Sequence, residues 1–302
     1  GLALVGSSKN VLRNNKMTNN WCNFAPWRSF FYEYSWQGPN DVDASNTVDG
    51  KPICYWVNVN NKRVPSEAGC VVLVNCRNIT VENLELRDNF NGVFLANSSS
   101  ILIRRNNISH HFSNYAVLCS GVFSYLDAFN ITVTLNNITA NENGVMLWGY
   151  NNTVSYNNIA NNFYKNVEVF DNNVLRSNNI TNSDKSGVIV EGPGCIIISN
   201  NIISNWGAGI TLRGPNHTVT LNNIIGNGYC GIQLVLASEC VINQNNIIRN
   251  GYYGISMYSS PNNKIFHNNF INNTNNLNSD GSSTNVWDDD YPSGGNYWSS
   301  YN

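Results

Sequence analysis

Residues 200–234 read NNIISNWGAGITLRGPNHTVTLNNIIGNGYCGIQL, and the fold is decided there. The stretch repeats itself: Asn200-Asn201-Ile202 returns as Asn222-Asn223-Ile224, and Gly209-Ile210-Thr211-Leu212 returns as Gly231-Ile232-Gln233-Leu234. Between the copies, Thr218-Val219-Thr220-Leu221 alternates polar and apolar residues. Each segment has the period of a strand and is too short for a helix, and Asn or Gly corners separate the segments. A strand of this length cannot bury its apolar face alone. Stacking one copy on the next buries it, with every strand pairing in parallel with its equivalent one coil later.

The same beat extends outward in both directions. Asn-Asn-apolar recurs at Asn106, Asn136, Asn157, Asn178, Asn200, Asn222, Asn245 and Asn268, with intervals of 21 to 23 residues after Asn136 and a first interval of 30. The long interval predicts a loop insertion near Gly121–Phe129. Gly-apolar-x-apolar follows at Gly92, Gly144, Gly187, Gly209, Gly231 and Gly254. The chain therefore predicts an all-β, single-stranded, right-handed parallel β-helix of about 22 residues per coil and roughly 11–12 coils. It should occupy residues 1–274, with irregular aromatic-rich coils over 23–69 and a closing segment over 275–302. About 60 of the 302 residues are Asn, which tolerates left-handed backbone at tight corners. One Asn per coil is expected to stack into an amide ladder.

Composition narrows the function. Only 12% of residues are charged and the formal net charge is −2, so a basic surface for nucleic acid or membrane is not expected. No apolar run approaches the roughly 20 residues of a membrane span. No leader precedes Gly1, which reads as a mature or trimmed start on a strand already under way. An uncovered first strand would invite another coil or a second copy, so homopolymeric self-assembly into a layer or filament is the expected partnership. Eight cysteines (Cys22, Cys54, Cys70, Cys76, Cys119, Cys195, Cys230 and Cys240) show neither CxxC nor zinc spacing. They read as disulfides of an extracellular protein, the alternative being buried thiols. Cys230 with Cys240, or Cys54 with Cys70 or Cys76, are the favoured pairings, and Cys119 is the candidate for an intersubunit bond. Nine N-x-S/T sequons point to the same compartment: Asn78, Asn97, Asn107, Asn130, Asn137, Asn151, Asn179, Asn216 and Asn272.

These repeats resemble the parallel β-helix repeats of the NosD-like, carbohydrate-binding and sugar-hydrolase type. Residues 46–58 (NTVDGKPICYWVN) with 64–80 (VPSEAGCVVLVNCRNIT), and the ending GGNYWSSY, resemble segments of archaeal cell-surface β-helix proteins. The resemblance implies the fold. It leaves function open, because this fold hosts lyases, hydrolases, epimerases and adhesins. The NosD name implies copper, but three Met and four His lie scattered, and no copper site is expected. Asp41, Asp43 and Asp49 could hold calcium in a loop, although their spacing matches no defined site.

Aligning the coils places two columns on the outer face of the Gly-apolar-x-apolar strand. One runs Phe94, Val117, Met146, Glu168, Ile189, Thr211, Gln233, Ser256; the other runs Ala96, Cys119, Trp148, Phe170, Glu191, Arg213, Val235, Tyr258. Glu168, Glu191 and Arg213 are the best catalytic candidates, since hydrolases need convergent carboxylates. The competing reading is a Glu191–Arg213 surface pair beside a solvated Glu168. The Asp-Asp and Gly-His-Gly patterns of polygalacturonase-like enzymes are missing. Phe94, Met146, Trp148, Phe170 and Tyr258 would form an apolar ridge needing a loop, a sugar or another subunit to cover it. Three functions follow: a structural cell-surface protein, a carbohydrate-binding module stacking sugars on those aromatics, and a polysaccharide lyase or hydrolase.

Overall fold

The structure is a computed structural model that describes residues 1–28, 38–112, 119–125, 128–281 and 284–299. Within it the chain divides into two compact units, Gly1–Tyr150 and Asn151–Asn302. Each is built from parallel β-helix coils, and no helix occurs among the described residues.

The second unit is the more regular. Each coil carries three short strands, and each strand pairs in parallel with its copy in the next coil. The first coil contributes Thr153–Ser155, Asn158–Ala160 and Lys165–Val169. On the first face Val154, Leu175, Ile197, Val219, Ile242 and Ile265 are in register and buried. On the second, Ile159, Ile180, Ile202, Ile224, Ile247 and Phe270 form an unbroken buried column. The third face contributes Val167, Val188, Ile210, Ile232 and Ile255. β-Branched side chains stack well against their own kind on a pleated surface, which is why the columns are Val and Ile.

Corners join the strands. Asn161, Asn182, Ser204, Gly226, Arg249 and Asn272 all have left-handed backbone, as do Tyr156, Ser177, Ser199, Leu221, Gln244 and His267 one corner earlier. Asn and Gly enter this region at little cost, whereas Leu and Tyr do so only where the stack overrides local preference.

The predicted amide ladder is present, and it is not alone. Asn157, Asn178, Asn200, Asn222, Asn245 and Asn268 are buried at the corner before the second strand. Each directs its backbone N–H and its Nδ2 at the Oδ1 of the next, all at 2.9–3.0 Å. A second buried ladder, Ser183–Asn205–Asn227–Asn250–Asn273, runs at the following corner. A third is mixed. Asn173 N–H donates to Cys195 Sγ at 3.4 Å, Cys195 N–H to His217 Nδ1 at 3.2 Å, and Cys240 N–H to Asn263 Oδ1 at 2.9 Å. Residues 275–299 prolong these rows: Asn285 accepts from Asn263, Asn296 from Asn268, and Trp298 stacks on Phe270 at 4.3 Å.

The first unit has three coils of the same kind between Arg77 and Leu147. Its register corrects one expectation. Ser120–Tyr125 is a strand, with Val122 and Phe123 paired to Val93 and Phe94 on one side and to Val145 and Met146 on the other. The extra length of the 30-residue interval therefore precedes Gly121, between the strands Asn107–Ser109 and Ser120–Tyr125. Ser124, buried where Leu95 and Leu147 stand in its neighbours, had hidden the motif.

Ahead of these coils, the described residues 1–28 and 38–48 supply short paired strands. Leu2–Val5 pairs with Phe24–Arg28, Val11–Leu12 with Asp41–Val42, and Lys16–Met17 with Thr47–Val48. Asn10–Asn40 and Asn15–Asn46 are their ladder rungs. The chain then reverses, because Thr47–Val48 runs antiparallel to Lys51–Val57. This lays Leu4, Leu12, Met17, Phe24, Val42 and Val48 over the outer side of the third face, against Tyr55, Val72, Phe94, Phe123 and Met146.

Among the described residues no disulfide joins the eight cysteines, so the expected pairings gain no support. Cys76, Cys195 and Cys240 occupy corner positions where a small side chain caps backbone groups. Cys230 begins a third-face strand, and burial pushes its thiol up to about 12. Cys119, the candidate for an intersubunit bond, is fully buried in the apolar cluster beneath the N-terminal turns.

His111 stands in a ladder row between Asn89 and Asn141. Its Nδ1 lies 3.3 Å from the Asn89 N–H and its Nε2 lies 3.2 Å from the Leu86 carbonyl oxygen. Burial outweighs the two nearby carbonyls that favour the cation and lowers its pKa to about 4. Unfolded His titrates near 6.5, so the unfolded chain binds the extra proton first as pH falls. Stability is complete above about pH 6.5 and is lost as pH falls toward 4, by about 2.5 kcal/mol at pH 4.5 from this residue alone. Urea melts at pH 8 and pH 4.5 should show that loss, and His111→Asn, which restores the usual ladder residue, should shrink it. Equal losses in both proteins would show that His111 is not responsible.

Candidate functional site

The outer side of the third face differs between the two units. In the first unit the column is Val72, Phe94, Phe123 and Met146, all buried beneath the N-terminal turns. Phe123 takes the place given to Val117, and Val117 itself lies outside the described residues. Phe123 packs edge-on against Trp148, ring centroids 5.3 Å apart, with Tyr125 beside them. The expected exposed ridge is thus a second core here: Phe94 and Met146 are inaccessible and Trp148 is half-buried. Of the aromatics between Phe24 and Trp36, Phe24 packs into this cluster, while Phe30, Phe31, Tyr32, Tyr34 and Trp36 lie outside the described residues.

In the second unit the corresponding column is polar except at Ile189 and has the register read from the sequence, Glu168, Ile189, Thr211, Gln233 and Ser256, with Asn278 continuing it. Beside it Arg213, Val235 and Tyr258 are in register. Side chains here bond along the row. Thr211 Oγ1 donates to Gln233 Oε1 at 3.5 Å, and Asn278 Nδ2 donates to Ser256 Oγ at 3.2 Å. Tyr229, Gln233, Ser256, Tyr258, Asn278 and Asp280 line a shallow open groove. Tyr258 is 60% exposed.

The two glutamates are each committed to a cation. Arg213 Nη1 lies 2.6 Å from Glu191 Oε1, and this hydrogen bond, helped by the charge of Glu168, holds the guanidinium pKa above its ordinary value. Glu168 is not solvated as expected: it is buried and bonded to Lys165 Nζ at 2.9 Å. Phe170 is half-buried at the edge of the same face.

The three aspartates considered for calcium are likewise engaged. Asp41 and Asp43 share Arg13, at 2.6 and 3.2 Å, and Asp49 accepts from Asn19 N–H and Asn23 Nδ2. The guanidinium supplies the positive charge that a metal would bring. All nine sequon asparagines are exposed, at Asn78, Asn97, Asn107, Asn130, Asn137, Asn151, Asn179, Asn216 and Asn272. Several of their amides are already bonded, Asn137 to Asn107 and Asn179 to Asn158, in an outer ladder along the second face.

One feature escaped the sequence reading. At the corner between the second and third faces of the second unit, Phe163, Trp206 and Tyr252 are exposed by 64, 79 and 61%. Tyr229 joins this corner to the groove, its ring 6.0 Å from that of Tyr252. The signal was available: each follows a ladder position, Asn162, Asn205 or Asn250, by one or two residues.

Comparison with known proteins agrees with this picture of the fold. The family described as periplasmic copper-binding protein (NosD) matches residues 34–173 and again 166–302. No curated protein sequence matches significantly. Among solved structures, the periplasmic alginate epimerase AlgG aligns with a TM-score of 0.59 at 13% identity, over 81% of this chain and 64% of that one. The Dettilon tailspike protein aligns at 0.57 and 16%, over 78% and 59%. The A-module of mannuronan C-5 epimerase AlgE6 from Azotobacter vinelandii aligns at 0.52 and 12%, over 82% of each. This chain spans less than two thirds of the alginate epimerase and the tailspike. At these identities the likeness is one of fold.

Copper, named in the family's description, does not fit the residues present. His111 is enclosed with both ring nitrogens on backbone groups, His217 Nε2 faces the Arg213 carbonyl oxygen at 3.0 Å, and His267 Nε2 faces that of Ser293 at 2.9 Å. Met17 and Met146 are buried in one apolar cluster of the first unit, and Met257 is buried in the second. Among the described residues no three of His, Cys, Asp and Glu gather where they could hold a metal ion.

Proposed function

The chain belongs to the NosD family, and from that membership we propose that it is an exported carbohydrate-binding protein whose binding surface is the outer third face of its second unit. The observation that carries this is the contrast between the units. The corresponding face is apolar and covered in the first, but largely polar in the second, where buried Thr211 and Ser256, half-buried Gln233 and exposed Asn278 bond in pairs beside exposed Tyr258. Sugars are bound by such combinations of planar hydroxyl-matching groups and aromatic faces. The likeness in fold to the alginate epimerases and a tailspike supports the class of ligand by analogy. The word periplasmic, in the descriptions of both the family and AlgG, supports an exported setting.

Binding is favoured over turnover because Glu168 and Glu191 are each held by a cation. A purely structural role in a surface layer, sheath or filament loses one of its supports, the exposed apolar ridge, because Phe94 and Met146 are buried. A glycan array should identify a bound polysaccharide. Gln233→Ala and Tyr258→Ala should each weaken that binding by about tenfold while leaving the melting temperature unchanged. An empty array, or binding indifferent to both substitutions, would remove this reading.

A further inference from the structure

The exposed aromatics of the second unit are spaced, not merely clustered. Backbone hydrogen bonds align their corner coil by coil: Trp206 N–H donates to the Ser183 carbonyl at 2.8 Å, Gly228 to Asn205 at 2.8 Å, Tyr229 to Gly207 at 3.0 Å and Tyr252 to Tyr229 at 2.7 Å. These bonds continue the row of Trp206 with Gly228 and Gly251 and set Tyr229 and Tyr252 one position further on; by strand order Phe163, Trp206 and Tyr252 stand on the first, third and fifth coils of the unit. On the coil between Phe163 and Trp206 the equivalent residues are Asp184 and Lys185. On the coil between Trp206 and Tyr252 they are Gly228 and the half-buried Tyr229. Coils repeat every 4.8 Å or so, so the prominent rings recur about every 9.6 Å along the axis.

Two glycines keep the track clear. A Cβ at Gly228 would lie 2.2 Å from the Trp206 carbonyl oxygen, and one at Gly251 would lie 2.0 Å from that of Gly228. The row beyond Trp206 thus carries no side chain, which leaves that side of the indole open.

We propose that Phe163, Trp206 and Tyr252 form a stacking track for an extended β-1,4-linked polysaccharide lying parallel to the coil axis. In such a glycan successive pyranose rings turn over, so the same C–H face recurs once per disaccharide, a length equal to two coil spacings. An aromatic ring on every second coil meets that face each time. An α-1,4-linked chain coils away from a straight row and would engage one ring only. The inference rests on the carbohydrate-binding reading and names its ligand class. Tyr229, shared by the corner and the groove, lets the hydroxyls along one edge of the glycan reach Gln233 and Ser256.

Calorimetry would compare cellohexaose, chitohexaose and mannohexaose with maltohexaose, on the intact chain and on Trp206→Ala, Tyr252→Ala and Gln233→Ala. At least one β-1,4-linked hexaose should bind, at least tenfold tighter than its own disaccharide and than maltohexaose. Trp206→Ala and Tyr252→Ala should each weaken it by about tenfold. Both side chains are exposed, so an unchanged melting temperature checks the fold. If a glycan binds and depends on Gln233 but not on Trp206 or Tyr252, or if maltohexaose binds best, the track is overturned while the carbohydrate-binding reading stands. If neither these hexaoses nor any polysaccharide on the glycan array binds, both fall.

Discussion

Replacing Asn222 with leucine lowers the unfolding free energy by about 4 kcal/mol, while replacing its neighbour Asn223 with alanine changes it by less than about 1 kcal/mol. Both asparagines belong to ladders, and both bond the equivalent residue in adjoining coils near 3 Å. They differ in where they point. Asn222 is fully buried. Its Nδ2 donates to the carbonyls of Ile197 and Thr220 and to Asn245 Oδ1, at 2.8, 2.9 and 3.0 Å. Its Oδ1 accepts from the Asn200 N–H and Nδ2. Leucine has similar volume and fills the space, but strands the Asn200 N–H and the Ile197 carbonyl away from water, each costing about 1–3 kcal/mol. Asn223 lies on the outer ladder, where water replaces any lost bond. Chemical denaturation of both variants tests the difference. Because a solenoid's stability is a sum of neighbouring terms, the Asn222 variant should also show a broadened or split transition. Equal, small losses in the two variants would mean that the buried ladder is ornamental.

This contrast also shows what could be read from the sequence and what could not. Asn-Asn-apolar and Gly-apolar-x-apolar repeat at the coil length, so strands, corners and register in the second unit were legible, down to the Glu168-to-Ser256 column. Periodicity says which side chains leave the core of a coil. It does not say what lies on top of them, because the covering segment, residues 1–48, has its own short turns and follows no 22-residue rule. For that reason Phe94 and Met146 were expected on a surface and are in a second core. The cysteines follow a related logic. An even count suggests disulfides, but corner positions also accept a small side chain that bonds backbone groups, as the thiols of Cys76, Cys195 and Cys240 do. Ser124 hid a whole strand by placing a hydroxyl in an apolar column. Glu168 was read as solvated because its partner, Lys165, sits three residues away on the same strand, where alternation alone would put the two on opposite sides.

Gly231→Ala should destabilise the chain by about 3 kcal/mol or more, the larger part of the cost coming from backbone. Glycine heads the third strand of nearly every coil, and its backbone there is not left-handed, so turn geometry is not the reason. Close approach is. A Cβ at Gly231 would lie 2.7 Å from the Gly254 carbonyl oxygen, 2.7 Å from Ile247 Cγ2 and 3.0 Å from Asn250 Nδ2. Gly209 meets Gly231, Ile224 and Asn227 in the same way, and Gly187 meets Gly209, Ile202 and Asn205. Each coil therefore threads its neighbour's carbonyl through the space a side chain would fill, between the second-face isoleucine column and the buried ladder of the next corner. The isoleucine methyl and the amide could shift by tenths of an ångström. The carbonyl cannot, since it is fixed in the parallel pairing that spaces the coils. An alanine must therefore pry two coils apart locally, loosening the Asn227–Asn250 rung beside it, which now closes at 3.0 Å. Thermal melts measure the loss. Hydrogen exchange should place the new opening at residues 227–232 and 250–255, while the first unit keeps its protection. A Gly231→Ala protein as stable as the parent would show that the coils give way where this packing says they cannot.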